Sequence, residues 1–119
     1  MLALRLVLTE APDTLVFDEV DAGIGGSAAV AVGRNLAALG ARHQVLVVTH
    51  LAQVAALAHT HVVVSKRVLA GATLTTAARI DGQDRGDEVA RMLSGDEAAD
   101  SARRHAADLL GDRAKRASG

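Results

Sequence analysis

Two short apolar runs stand out along the chain, each ending abruptly in polar residues. Leu15, Val16 and Phe17 stop at Asp18-Glu19, and residues 45–48 (Val-Leu-Val-Val) stop at Thr49-His50. Unbroken runs of this length predict strands buried on both faces of a parallel sheet. Between them Ala29, Val32, Leu36 and Leu39 recur at helical spacing, which predicts a helix lying on that sheet. Ser27 is its expected N-cap and Gly40 its terminator, and Gly33 beside the stripe permits a close approach. Residues 1–9 are rich in strong helix formers and predict a helix against the sheet. Residues 51–58 predict a short helix and residues 61–65, β-branched at Val62, Val63 and Val64, a third strand. Residues 73–80 then suit a hairpin at the sheet edge, and residues 81–85 read as a charged loop. Helices follow over 87–93, with Val89, Met92 and Leu93 inward, and over 97–110, with Ala98, Ala102, Ala106, Leu109 and Leu110 on one side. Residues 111–119 read as a disordered tail.

The alternation of strand and helix predicts a single α/β unit over residues 1–110. With one Phe and no Trp or Tyr, its core must be built from Ala, Val, Leu and Ile. Thirteen basic and 14 acidic residues give a formal charge of −1, which offers no general attraction to nucleic acid. There are no cysteines, hence neither disulfides nor thiolate metal sites. The apolar residues 1–8 are too few to span a bilayer, and the expectation is a cytoplasmic chain without membrane contact.

The candidate chemistry lies where the apolar runs end. Ligands of open α/β sheets bind beyond the carboxyl ends of the strands, and acids placed there ask for a cation. A Mg²⁺-nucleotide would give the two acids different work: Asp18 holding the metal through water, in the usual habit of Mg²⁺, and Glu19 orienting or deprotonating the attacking water. On residue types alone, a strand followed by an acidic, glycine-rich turn remains an equal reading. His50 is either a structural group after a strand or a sensor of phosphate. His59 and His61 sit more simply at a strand flank than in a metal site, and Gln53 on a helix surface.

Leu-Val-Phe-Asp-Glu followed by Val-Asp-Ala-Gly-Ile-Gly-Gly (residues 15–26) resembles the Walker B strand and D-loop of ABC-type ATPases. The Gly-Ile-Gly-Gly ending is similar to the RecN branch, bacterial DNA-repair relatives of the structural-maintenance-of-chromosomes ATPases. Val-Leu-Val-Val-Thr-His with Leu-Ala-Gln-Val-Ala (residues 45–55) resembles that branch's switch-histidine strand and following helix. The resemblance implies a partial P-loop NTPase head of the ABC/SMC-like kind, with a mostly parallel sheet, flanking helices and an edge hairpin. It implies ATP and Mg²⁺ as cofactors, Glu19 and His50 as catalytic residues, Asp18 as the metal residue and, with Asp21 of the D-loop, the nucleotide contacts. It implies hydrolysis at a head–head homodimer interface, coupled to DNA double-strand-break repair and recombination in the bacterial nucleoid.

The sequence contains no Gly-x-x-x-x-Gly-Lys-Ser/Thr phosphate loop, and no Leu-Ser-Gly-Gly signature precedes residues 1–9. The resemblance therefore implies that an N-terminal lobe of the same protein completes the site, and that the chain is a piece of that head. The alternative is a stand-alone, non-catalytic assembly module with a relic ATPase motif. A helicase-like ATPase, suggested by Asp-Glu-Val-Asp at residues 18–21, fits the glycines and the Thr-His strand end less well.

Overall fold

A computed structural model describes residues 13–18, 23–95 and 100–117, with side chains described to residue 114. The element order is β1 (Thr14–Asp18), α1 (Ser27–Leu39), β2 (Gln44–Val48), α2 (Ala52–Leu57), β3 (His61–Leu69), β4 (Ala72–Ile80), α3 (Gly82–Ser94) and α4 (Asp100–Ala117). The helix expected over 1–9 lies outside the described residues, as do Glu19, Asp21 and Ala98.

β1 and β2 pair in parallel, in the register Thr14↔Gln44 to Asp18↔Val48, with α1 as the crossover. β3 and β4 form an antiparallel hairpin. The expected mostly parallel sheet is therefore seen only in part: among the described residues the hairpin is a separate two-stranded sheet, and β3 pairs with β4 alone. Both hairpin strands are longer than the expected segments, and Leu69↔Ala72 closes them around Ala70-Gly71. Both turn residues have positive φ, 50° and 79°, as the tightest hairpin turns require.

The strands of the parallel pair are not buried on both faces. Leu15, Phe17, Val45 and Val47 point to one side, where Leu36 of α1 and Val54 of α2 pack on them. Val16, Leu46 and Val48 point to the other and stay 67%, 50% and 60% exposed. A run of apolar residues reports the nature of a strand, whereas the presence of a layer on each side depends on the rest of the fold.

A second core joins Ala52 and Ala56 of α2, Val89 and Ala90 of α3, and Ala102 and Ala106 of α4. Five of its six buried residues are alanines, with Val89 the one larger side chain at the centre and Met92, Leu93, Leu109 and Leu110 packed around it, so small side chains let the helices approach closely. α2 contributes to both cores. At six residues it is too short to persist by itself, and packing holds it. On the α1 side a Cβ added at Gly33 would come within 3.2 Å of Gln53 O and 3.3 Å of Val54 Cα, so the glycine allows the backbones to approach as expected.

Other boundaries shift for local reasons. Gly26 rather than Ser27 is the N-cap of α1, at φ 59° and ψ −131°, and no side chain caps the helix. Gly40 does end it, donating its N–H to Leu36 O at 3.0 Å. α3 starts at Gly82, inside the expected loop, because the Asp81 side chain accepts from Gly82 N at 2.9 Å. α4 runs past Leu110 to Ala117, and Arg34 of α1 meets Asp112 there at 3.2 Å.

Candidate functional site

The parallel register brings two strand ends to one edge. Asp18, the last residue of β1, lies opposite Val48, the last residue of β2, and Thr49-His50 follows at once. Asp18 and His50 are both exposed there, so each is open to a ligand arriving at the edge. The turn that carries His50 is held from within: Leu51 N donates to Thr49 Oγ1 at 3.0 Å, and Leu51 is the N-cap of α2. The two proposed partners of this pair, Glu19 and Asp21, lie outside the described residues. An exposed carboxylate is a hard oxygen donor of the kind Mg²⁺ accepts while retaining several waters, so Asp18 fits the metal expected at this edge. Among the described residues no group of three or more His, Asp or Glu side chains is placed to hold a metal ion.

At the opposite end of α2 stands a residue that sequence reading placed in a loop. Arg85, in the first turns of α3, is 3% exposed. Its Nη2 donates toward Ala55 O (3.1 Å), Ala56 O (3.3 Å) and Ala58 O (2.5 Å), and Nη1 toward His59 O (3.4 Å). A short helix leaves its last carbonyls without partners and its C-terminus partly negative; the guanidinium answers both deficits. Burial, and then the charge of Arg113, lower its pKa, with Asp81 opposing. A guanidinium nevertheless stays charged near neutral pH. The signal for Arg85 was present in the spacing: it falls four residues before Val89, in line with the inner face of α3.

His61 begins β3 beside this cap and is also buried. Its Nδ1 has no hydrogen-bond partner. Burial holds its imidazole below the ordinary 6.5, Arg85 lowers it further, and Glu88 acts in the other direction. Glu88 is itself lowered, first by its hydrogen bonds with Arg91, at 2.8 and 2.7 Å, against the opposing effect of partial burial. His59, by contrast, is exposed.

The structure thus defines an α/β module with an acid and a histidine at the carboxyl edge of two parallel strands, the second strand feeding a helix clamped by arginine. No protein-family model matches the chain. It is 54% identical over 112 residues to the DNA repair protein RecN of Mycobacterium leprae, covering 92% of this chain and 19% of that protein. It is 51% identical over 110 residues to that of Deinococcus radiodurans, again with 92% and 19% covered. With that of Streptomyces coelicolor the identity is 46% over 112 residues, covering 92% and 20%. The chain belongs to the RecN family and matches the C-terminal portion of its members. It spans about a fifth of the length of these curated relatives.

Proposed function

We propose that this chain is the Walker B, D-loop and switch-histidine portion of a RecN-like ATPase head, acting in DNA repair within a longer protein. The observation that carries the reading is the parallel register that sets Asp18 and the Thr49-His50 turn at one edge, in a chain 54% identical to a RecN protein. ATP with Mg²⁺ supplies the reactive phosphoanhydride and the charge that polarises it. Asp18 holds the metal through water. Glu19 takes a proton from, or orients, the attacking water, a role contributing on the order of 10²–10⁴-fold in rate. His50 donates a hydrogen bond toward the terminal phosphate or the water, and Asp21 reaches across a head–head dimer interface toward the partner's nucleotide. The phosphate-binding loop comes from an N-terminal lobe of the same protein, and DNA is engaged by the whole.

In the full-length protein, Glu19→Gln is expected to keep ATP binding, prolong the ATP-bound dimer and cut turnover by about 10²-fold or more. Hydrolysis at the unaltered rate would remove Glu19 from the mechanism. One observation favours a second reading, a non-catalytic assembly module: the bare apolar face of Val16, Leu46 and Val48. That reading predicts that Glu19→Gln leaves the protein's function intact.

A further inference from the structure

We propose that Arg85 is a positioning residue for His50, acting through α2; the proposal rests on the nucleotide-site reading above. His50, its N-capping neighbour Leu51 and α2 are consecutive, so the axial position and rotation of this short helix set where the His50 turn stands. α2 lacks the length to define its own position. On the α1 side it is fitted against Gly33, whose bare Cα lets the Leu57 side chain and the backbone of Gln53 and Val54 approach closely. At its C-terminal end the Arg85 guanidinium gathers the carbonyl oxygens of Ala55, Ala56, Ala58 and His59. These contacts join residues 26 to 30 positions apart in sequence, so they tie α2 to α3 rather than merely completing a local turn. Arg85 is 3% exposed, which keeps water from competing for the same carbonyls. A planar fork with several donors fixes direction as well as distance, which the single ammonium of lysine does not. The clamp therefore holds His50 from the far end of its helix, while Thr49 Oγ1 holds the near end through Leu51 N.

The test is a double-mutant cycle on ATP hydrolysis by the full-length protein, with wild type, Arg85→Lys, His50→Ala and the double variant compared after thermal unfolding has established that each is folded. Arg85→Lys is expected to lower kcat by about 10-fold or more, since small misplacements of a reacting group are costly, with the KM for ATP little changed. In the His50→Ala background the same substitution is expected to change kcat by less than about twofold, because groups acting as one unit are not additive. An equal loss in both backgrounds would show that Arg85 only supports the fold and would overturn the proposal. Wild-type turnover in His50→Ala would overturn the reading of the site itself, and this proposal with it. If Arg85→Lys does not yield folded protein, Arg85→Gln, which retains a shorter donor, takes its place in the cycle with the same expected outcomes.

Discussion

At Gly33, the absence of a side chain has a definite stability consequence. Alanine is the better helix former by about 1 kcal/mol, but its Cβ would stand 3.2 and 3.3 Å from backbone atoms of α2, which cannot swing aside. Overpacking of this kind costs about 1–3 kcal/mol, so Gly33→Ala is predicted to lower the unfolding midpoint in urea rather than raise it. His61 makes a pH prediction. Its lowered folded-state pKa means that the unfolded chain binds more protons than the folded one just below pH 6.5. Its contribution to stability is therefore complete above 6.5 and is lost as pH falls through the lowered folded value. Glu88, held below 4.5 by Arg91, adds a loss in the same direction at more acid pH. Denaturation midpoints at about pH 7 and about pH 5 should separate further in the wild-type chain than in His61→Phe; equal separations would exclude His61 as the cause.

At the scale of elements, the β3–β4 turn carries an avoidable strain. Ala70 at φ 50° occupies a region that costs an ordinary side chain about 1–2 kcal/mol, whereas Asn before glycine is the preferred pair in such turns. Ala70→Asn is therefore predicted to stabilise the chain by about 0.5–1 kcal/mol, read as a higher unfolding temperature; a lower one would contradict the turn geometry. The elements that sequence made legible are those whose signal is local. The α1 stripe lies where periodicity puts it, with Ala29 and Leu36 buried, and Ala102 and Ala106 of α4 likewise face the core. Asp18 and His50 follow from the points at which apolar runs stop. Arg85 was missed because glycine and charge around it suggested a loop, and no local pattern shows that four carbonyls await it elsewhere in the fold. The continuation of α4 to Ala117 was missed for a similar reason: a charged stretch without large apolar residues looks like a tail until its Asp112 has Arg34 to meet.

On the scale of the whole molecule, the described residues form a two-stranded parallel sheet covered on one face only, and parallel sheets ordinarily have both faces covered. The hairpin adds Val62, Val64 and Val68, at 53%, 64% and 75% exposure, on a single side. No described helix is long and apolar enough to cross a membrane, so the apolar surface does not belong to a spanning helix. The 119-residue chain prepared alone is accordingly predicted to self-associate, with sedimentation giving masses above 12.2 kDa that fall when Val16 and Val48 are changed to Thr; a monomer at all concentrations would contradict this. Whether the carboxyl edge of β1 and β2 is part of a Mg²⁺-nucleotide site is tested most directly by the Mg²⁺ dependence of ATP hydrolysis in the full-length protein carrying Asp18→Asn. The Mg²⁺ concentration for half-maximal turnover is expected to rise by about 10–100-fold, the usual cost of losing a group that holds a metal's ligands in place. A Mg²⁺ profile and rate identical to those of the wild type would contradict it.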